Sequence, residues 1–552
     1  MAKMKTKTTE YKDSFAETCS AIISGVISVF LLILVTVFPL VYHNSYYDIL
    51  ETKYRWYYGT VVAMLAVVLV LAIIMLIIDQ MENGGRHAAR LFAKLHPKNW
   101  RSTFCAADVA VMLFWLVLVI STLQSEYMYE SFWGNEGRYS GLFLLTLYVA
   151  VYFVVSRFWT VKGWVLEAFL ISGLIVCYVG ITDYFQLDVL HFRSGIDALQ
   201  PQQATMFTST MGNINTYTAY VALIMGVATA MFTTAKNPGR AVWYYICMVI
   251  AFFAIIMGCS DNAYLALGAL FAFLPLALFR SRMGIRRYLL VLATFSMVIQ
   301  CIDFINQVYS EMVIGLDSLF QVLVNFSGLM YVVVALWLVY LAVVIIDRNN
   351  REAADEMGPI PIRVWSGLLV IGVLIVCFML YDANVAGGAD KYGALSNYLV
   401  FNDSWGTNRG FIWRKSVEIF RDFPVLHKLF GYGPDTFGIL TTSNFRMEMV
   451  NATGQVFDSA HNEYLQYLVT IGVLGLVAYV TFLVLAGWRM AVKLAKNEYL
   501  VGCLFAILCY GFQAVVNLNL PIATPIMWLL LSIGMAACRG DEEKNYESKR
   551  AV

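Results

Sequence analysis

Two residues of the chain, Arg409 and His461, have side chains suited to transferring a group away from an anionic leaving group. The Arg409 guanidinium can pair with a phosphate through several N–H donors, and the His461 imidazole can accept a proton near neutral pH. Asp458 or Ser459 can cap a helix that enters an apolar run near Tyr464. Because a helix N-terminus disfavours an imidazolium ion, we expect a neutral His461 in the first turn of that helix.

The Arg409 side chain is predicted to lie on a helix of its own. Thr407 or Asn408 can cap this helix. Pro424 ends it by about Asp422, because the residue before a proline disfavours helical backbone. Arg409 and Trp413 are four residues apart and therefore share a face. A tight turn follows, in which two glycines before a proline let the backbone approach a ligand closely; its sequence is Gly431-Tyr432-Gly433-Pro434-Asp435.

No metal site is predicted beside this chemistry. The sequence contains no D-x-D motif, with which sugar-nucleotide transferases often hold a divalent metal on the diphosphate. The ten cysteines lie in or at the ends of apolar runs and form no C-x-x-C pair, so neither a zinc ribbon nor a disulfide framework is indicated. We therefore expect no metal and no cofactor, and cationic side chains on any diphosphate leaving group.

The elements that position these residues belong in a lipid bilayer. Hydrophobic residues make up 60% of the 552 residues, charged residues 14%, and the mean hydropathy is +0.68. A soluble domain carries about a quarter charged residues, so a soluble, disordered or coiled-coil protein is excluded. The net charge of +1 gives no reason to expect a nucleic-acid partner. The predicted fold class is an all-α polytopic membrane protein in contact with membrane lipids.

A transmembrane helix needs about 20 apolar residues, and 14 candidate runs are present. They are 19–42, 57–78, 104–122, 139–156, 164–182, 213–233, 241–258, 262–279, 287–304, 326–346, 364–381, 464–487, 499–516 and 520–538. Residues 1–381 thus hold spans 1–11, residues 382–463 form a large polar loop with the catalytic motifs, residues 464–538 hold spans 12–14, and residues 539–552 form a tail. Counts of 12 to 14 spans fit this pattern.

The distribution of Lys and Arg predicts the orientation, because cytoplasmic loops are enriched in both. With the N-terminus inside, 27 of the 38 Lys and Arg fall in cytoplasmic segments. Of the 11 outside, seven lie in the loop 382–463. Both termini are therefore expected in the cytoplasm and the loop on the outer face. Since nucleotides are not available there, a transferase on that face must use an activated donor carried by a lipid.

The motifs follow one another in a distinctive order. They are Arg409-x-x-x-Trp413, Pro424, Gly431-x-Gly433-x-x-x-Phe437, His461-Asn462-x-x-Leu465 and Gly472-x-x-Gly475-Leu476, preceded by Arg138-Tyr139-Ser140-Gly141 and Gly212-Asn213-Ile214-Asn215 and followed by the stretch 517–528. This order, in the largest outer loop of a polytopic chain, resembles the O-antigen ligase and polysaccharide polymerase superfamily.

The resemblance implies a C-type membrane glycosyltransferase on the outer face of a bacterial cytoplasmic membrane. Its donor would be a glycan linked to undecaprenyl diphosphate, and its acceptor a hydroxyl of a glycan, a lipid or a wall polymer. Arg409 would contact the diphosphate, and His461 would activate or orient the acceptor hydroxyl. Further substrate-binding residues would be Trp413, Arg414, Gly431, Gly433 and Asn462.

One segment departs from the family pattern. Members often carry an arginine after a serine near the start of a middle span, where this chain reads Cys259-Ser260-Asp261-Asn262-Ala263. The second cation for the diphosphate is therefore open at this point. Arg138, Arg193 or Arg414 could supply it.

Two other classes of function are also open. Fourteen spans suit a transporter or a flippase of lipid-linked oligosaccharide, although such proteins usually carry charges in mid-membrane, and here Asp108 and Glu167 lie near span ends or are isolated. A division-type scaffold would need a longer cytoplasmic segment than 79–103, which reads as a basic interfacial helix that contacts anionic lipid. Within the transferase class, ligase and polymerase are not distinguished, because both use the same donor.

Overall fold

The structure, a computed structural model, describes residues 3–193, 204–316, 318–350, 354–494 and 497–550. These residues form helices and one small antiparallel hairpin, in which Phe207–Thr208 (β1) pairs with Gly212–Asn213 (β2). The predicted all-α class is confirmed.

Helices in the first part of the chain are labelled in order. They are α1 Lys3–Leu32, α2 Ile49–Asn83, α3 Arg86–Leu95, α4 Ala106–Leu123, α5 Met128–Trp133, α6 Leu142–Phe158, α7 Trp164–Tyr184, α8 Ile214–Thr234, α9 Pro238–Met257, α10 Asn262–Leu278 and α11 Arg282–Val308. A π-helical turn at Ile33–Val37 extends α1 to Phe38–Leu40.

The second part of the chain continues the series. Its helices are α12 Ser318–Val324, α13 Leu329–Asn349, α14 Ile360–Asn384, α15 Trp405–Asp422, α16 Val425–Phe430, α17 Phe437–Thr453, α18 Glu463–Val492, α19 Glu498–Gln513 and α20 Thr524–Arg550. Shorter helical segments lie at Pro97–Asn99, Trp100–Thr103, Ser209–Met211, Ala389–Leu395, Ser396–Leu399 and Ala514–Val516.

Eleven helices in the described ranges are long and apolar enough to cross a membrane. Three shorter apolar helices accompany them, at Leu142–Phe158, Asn262–Leu278 and Thr524–Gly540. These helices coincide in position with the 14 predicted runs, but 11 of them have the length of a full crossing, so the number of spans stays a prediction. The chain is a multi-pass membrane protein.

Helix α8 lies at the centre of the bundle. Its apolar span is fully buried, and it packs against α9 and α19. The two helices α8 and α19 cross closely at Gly226, where an added Cβ would lie only 2.7 Å from the backbone nitrogen of Ala506. Small residues permit such a close approach between membrane helices. By contrast, the span of α14 buries none of its residues and lies at the periphery.

Polar contacts distinguish the two ends of the bundle. At one end Asp108 is buried at the start of α4 and accepts hydrogen bonds from Tyr152 at 2.7 Å, Arg157 at 2.9 Å and Arg539 at 2.6 Å. These bonds tie α4, α6 and α20 together and give Asp108 a structural role. At the other end of α4, Gln124 donates to the Gly431 carbonyl at 3.0 Å, so the large loop packs on that end.

The loop 382–463 is a folded unit. Helices α15, α16 and α17 lie within it. A small apolar core joins α15, α17 and the segment after α17, and it includes Phe411, Ile419, Phe437, Met449 and Phe457. Because this core packs against Val469 of α18, the loop is held in a fixed position on the bundle.

Candidate active site

Arg409 begins the regular part of α15, after an irregular first turn. Gly406, Thr407 and Asn408 have φ values of 59°, 60° and 68°. Thr407 and Asn408 lack the extended backbone of an N-cap, so the predicted cap at either residue is wrong, whereas the predicted end of the helix at residue 422 is confirmed. A left-handed conformation costs a non-glycine residue about 1–2 kcal/mol, and such strain often accompanies functional sites.

The Arg409 guanidinium is buried and loosely paired. The residue is 8% exposed, and its Nη1 lies 3.9 Å from Oδ2 of Asp261. Its Nε has no hydrogen-bond partner among the residues that the structure describes. Burial lowers the pKa of Arg409, and the nearby Asp261 carboxylate opposes that shift. The site therefore contains a buried cation with a donor left to bind an anion.

His461 lies just before α18 and not in its first turn. The helix begins at Glu463, and its N-cap is Asn462, whose side-chain oxygen accepts a backbone N–H three residues on at 2.9 Å. The predicted cap at Asp458 or Ser459 is therefore wrong. His461 has a φ of 47°, a left-handed conformation that interrupts any helix before it.

The electrostatics around His461 favour a neutral imidazole. Burial, together with the charges of Arg409 and Arg138, lowers the pKa of His461 to about 3, although the Asp458 carboxylate opposes the shift. This agrees with the predicted neutral side chain but has a different cause, since burial and two nearby cations replace the helix N-terminus. Both guanidiniums thus lie close enough to act on His461.

Arg138 is the second cation beside His461. It lies in the loop between α5 and α6, where its Nε donates to Oδ2 of Asp458 at 2.9 Å and its Nη2 donates to the other carboxylate oxygen. Asp458 precedes His461 by three residues. A forked pair of this kind fixes the plane of the guanidinium, so Arg138 is held next to the candidate base.

The other two candidate cations have different partners. The Arg193 guanidinium donates to the backbone carbonyls of Asp183 at 2.7 Å and Phe207 at 2.7 and 3.1 Å. Arg414 forms a forked pair with Asp403 at 2.7 and 2.9 Å. Because these contacts use their donors away from His461, the geometry favours Arg138 over both as the second cation.

Asp435 fixes the loop that carries Arg138. Its Oδ2 accepts the backbone N–H of Asn135 at 2.7 Å and that of Ser140 at 3.1 Å, and the Asn135 side chain donates to the Asp435 carbonyl. Burial raises the pKa of Asp435 to about 7, although the two N–H donors and Arg138 oppose the rise. Asp435 was not among the predicted site residues, although its place directly after the Gly-x-Gly-Pro turn was a signal for it.

The two glycines of the turn pack against protein. A Cβ on Gly431 would lie 2.1 Å from the Thr470 carbonyl oxygen, and one on Gly433 would lie 2.0 Å from Oγ of Ser131. The Gly433 N–H also donates to the Thr470 carbonyl at 2.8 Å. These positions need glycine because the turn docks on α5 and α18, and the geometry gives no support to their predicted contact with substrate.

Trp413 links α15 to the segment that carries His461. Its indole N–H donates to the carbonyl of Ala460 at 3.0 Å, and its ring lies 5.2 Å from the ring of Trp405. This bond connects the helix face that carries Trp413 and Arg409 to the residue before His461. In this structure Trp413 therefore holds the His461 segment in position through its backbone.

Three distant segments of the chain meet beneath Asp261. The Asn262 side chain donates to the Asn215 carbonyl at 2.8 Å and to the Gln513 side chain at 3.0 Å. Asn517 also donates to the Asn215 carbonyl, at 2.9 Å. These bonds join the start of α8, the start of α10, and the end of α19 with the residues that follow it into one polar junction.

Strained backbone concentrates around the site. Eleven non-glycine residues in the described ranges have positive φ. Six of them lie in the segments that converge here, namely Tyr139, Cys259, Thr407, Asn408, Asp435 and His461. Such conformations persist where surrounding contacts enforce them and cluster at active sites.

A small cleft of about 30 Å³ opens beside Arg138 and is lined by Asp435, Asn462 and Glu463. Glu463 is buried and accepts hydrogen bonds from the hydroxyls of Tyr479 at 2.6 Å and Tyr510 at 3.2 Å. Glu463 was also not predicted, although an acid at the entrance of an apolar span is a signal for a functional residue. Among the described residues, no group of three or more His, Cys, Asp or Glu side chains could hold a metal ion.

The comparisons with known proteins concern the second half of the chain. Residues 316–480 match the family model described as O-Antigen ligase. This range includes Arg409, Trp413, the glycine turn and His461 but ends before α19. No curated protein matches the chain. The predicted resemblance to the O-antigen ligase superfamily is thereby confirmed over residues 316–480, the part of the chain that the family model matches.

Proposed function

We propose that the chain transfers a glycan from undecaprenyl diphosphate to an acceptor hydroxyl on the outer face of the bacterial cytoplasmic membrane. The observation that carries this proposal is the placement of two guanidiniums, Arg409 and Arg138, around the neutral imidazole of His461. Cations that face an anionic leaving group stabilise the charge that develops on it. The acceptor is a glycan, a lipid or a wall polymer, and the reaction is that of a ligase or a polymerase.

In the proposed reaction the acceptor oxygen attacks the anomeric carbon of the donor. The bond from that carbon to the diphosphate oxygen breaks, the new glycosidic bond forms, and the hydroxyl proton passes to the imidazole of His461. Arg409 and Arg138 hold the diphosphate in place of a metal. General-base assistance of this kind contributes about 10²–10⁴-fold to the rate.

The charges at the site would make this proton transfer depend on the donor. In the free protein Arg409 and Arg138 oppose a charge on His461, as the lowered pKa of its imidazole reflects. A bound diphosphate offsets both guanidiniums, so an imidazolium ion costs less once the donor is present. His461 would then become a stronger base in the complex, where it is needed.

An apolar groove supports a donor with a lipid tail. A groove of about 740 Å³ runs between α10, α18 and α19, and Phe273, Tyr464, Leu504 and Phe512 are among its lining residues. Tyr464 follows His461 by three residues, so the groove ends near the proposed site. A polyprenyl chain could lie in it while the diphosphate reaches Arg409 from the side.

The test is an analysis of surface glycans and lipid-linked glycans in a strain that lacks the gene for this chain. Full-length glycan that stays on the lipid carrier would support a ligase, and short single units would support a polymerase. An unchanged profile would contradict the proposal. Lipid-linked glycan that accumulates on the inner leaflet would contradict it too, in favour of the flippase alternative.

A further inference from the structure

Arg409 and Asp261 form a pair unlike the other arginine–carboxylate pairs around the site. Their closest atoms, Nη1 and Oδ2, are 3.9 Å apart, which is beyond hydrogen-bond distance. The Arg409 Nε and the Asp261 Oδ1 are both buried, and neither has a hydrogen-bond partner among the described residues. The carboxylate therefore offsets the buried charge without using the donors of the guanidinium.

Two neighbouring pairs show the usual geometry. Arg414 and Asp403 share two hydrogen bonds, at 2.7 and 2.9 Å. The Arg138 side chain donates two hydrogen bonds to the Asp458 carboxylate. Since a guanidinium readily forms such a fork when its partner can approach, something holds Asp261 away from Arg409.

The backbone around Asp261 explains the separation. Asp261 lies in the short connection between α9 and α10, and both of its neighbours are tied to Asn215. The Ser260 hydroxyl donates to the Asn215 side chain at 2.6 Å, and the Asn262 side chain donates to the Asn215 carbonyl at 2.8 Å. These bonds keep the Asp261 carboxylate from moving closer to Arg409. The Asp261 side chain is nevertheless 31% exposed, so an incoming ligand can reach it.

We propose that Asp261 is the resting counterion of Arg409, which the diphosphate of the lipid donor displaces. This inference rests on the proposed function. A phosphate oxygen would take the free donors of Arg409 and form the close hydrogen bonds that Asp261 does not make. The displaced carboxylate would then repel the diphosphate, so Asp261 limits its affinity and favours release of the lipid diphosphate after the glycan has left.

The test measures binding of farnesyl diphosphate, a water-soluble polyprenyl diphosphate, to the full chain in detergent. In Asp261→Asn the repulsion is gone, so binding should tighten roughly tenfold, the scale of one screened charge interaction. The same variant should unfold at a lower temperature without ligand, because a buried guanidinium has lost its counterion. These two effects have opposite directions, which a purely structural role for Asp261 would not produce.

Controls separate this inference from the proposed function. Asp403→Asn removes a carboxylate that pairs with Arg414 and not with Arg409, and it should leave the affinity unchanged. Asp261→Glu keeps the charge and should bind like the wild type, and Asp261→Ser replaces the asparagine variant if that one does not fold. Unchanged or weaker binding by both neutral variants overturns the counterion role. Full binding by Arg409→Ala would instead overturn the diphosphate site itself.

Discussion

Arg138 and Asp458 form a forked ion pair that joins the loop before α6 to the segment that carries His461. The pair spans 320 residues of sequence, and one of its partners lies outside the residues that match the O-antigen ligase family model. The candidate site is therefore shared between the first and second halves of the chain. A fragment limited to residues 316–480 would lack one of the two proposed diphosphate cations.

Replacement of Arg138 should impair transfer even when the positive charge is kept. Lysine cannot make the forked pair with Asp458, so we expect Arg138→Lys to lower the transfer rate, and Arg138→Ala to lower it by about 10²–10³-fold. The measurement is glycan transfer by the purified full chain. Arg421→Ala, an exposed arginine of α15, is the control and should keep the wild-type rate. Wild-type transfer by Arg138→Ala would remove Arg138 from the account.

Asp435 should act through its acceptor oxygen and not through its charge. Both N–H donors from the Arg138 loop reach the same oxygen of Asp435, and the amide oxygen of an asparagine could accept both. Asp435→Ala leaves two buried donors unpaired, at about 1–3 kcal/mol each, and should lower both the unfolding temperature and the transfer rate. Asp435→Asn should retain most of both. An asparagine variant as impaired as the alanine variant would show that the charge matters instead.

The glycine turn should tolerate no side chain. A methyl group on Gly431 would overlap the Thr470 carbonyl, so Gly431→Ala must move the turn away from α18. We expect a loss of unfolding free energy on the order of 2 kcal/mol or more. Gly268→Ala in α10 is the matched control, since a Cβ there meets no atom within 4 Å. Equal unfolding temperatures for the two variants would contradict the packing role of the turn.

The pH dependence of stability should carry opposite contributions from His461 and Asp435. Between pH 6.5 and about 3, unfolded His461 binds a proton that the folded side chain does not, so its contribution to stability is lost as the pH falls. Folded Asp435, with its pKa raised from 3.8 to about 7, keeps a proton that the unfolded group releases, so its contribution is lost as the pH rises through that range.

These signs can be checked by unfolding temperatures in detergent at pH 7 and pH 5. His461→Gln should lose less stability than the wild type on acidification, because the proton uptake on unfolding at this position is gone. Asp435→Asn should lose more stability than the wild type, because it lacks the stabilisation that the folded protein gains when Asp435 is protonated. The reverse order of the two variants would contradict the burial of both groups.

Much of the helical architecture follows from the sequence, because runs of apolar residues identify membrane helices directly. The end of α15 before Pro424 and the approach of Arg409 to His461 were also predictable, the first from proline stereochemistry and the second from the family motifs. Both predicted helix N-caps are wrong for a local reason. Thr407 and Asn408 adopt left-handed conformations, and a left-handed His461 separates Asp458 and Ser459 from α18. The spacing of polar and apolar residues, from which the caps were predicted, does not indicate these turns of the backbone.

The contacts that complete the site depend on tertiary packing, and few sequence patterns indicate them. Asp261 is 148 positions from Arg409. Its segment departs from the family pattern, but that departure does not indicate a pairing with Arg409. The choice of Arg138 over Arg193 and Arg414 likewise depends on partners that the fold brings together. Sequence spacing alone cannot show which arginine has its donors already occupied by backbone carbonyls.

The central claim is that Arg409 and His461 carry out transfer from a lipid diphosphate. The most direct measurement is transfer by the purified full chain from a polyprenyl-diphosphate-linked glycan, for wild type, Arg409→Ala, His461→Ala and the control Arg421→Ala. We predict losses of about 10²–10³-fold for Arg409→Ala and about 10²–10⁴-fold for His461→Ala, with the glycan left on the lipid and the control unaffected. Wild-type transfer by either of the first two variants would contradict the account.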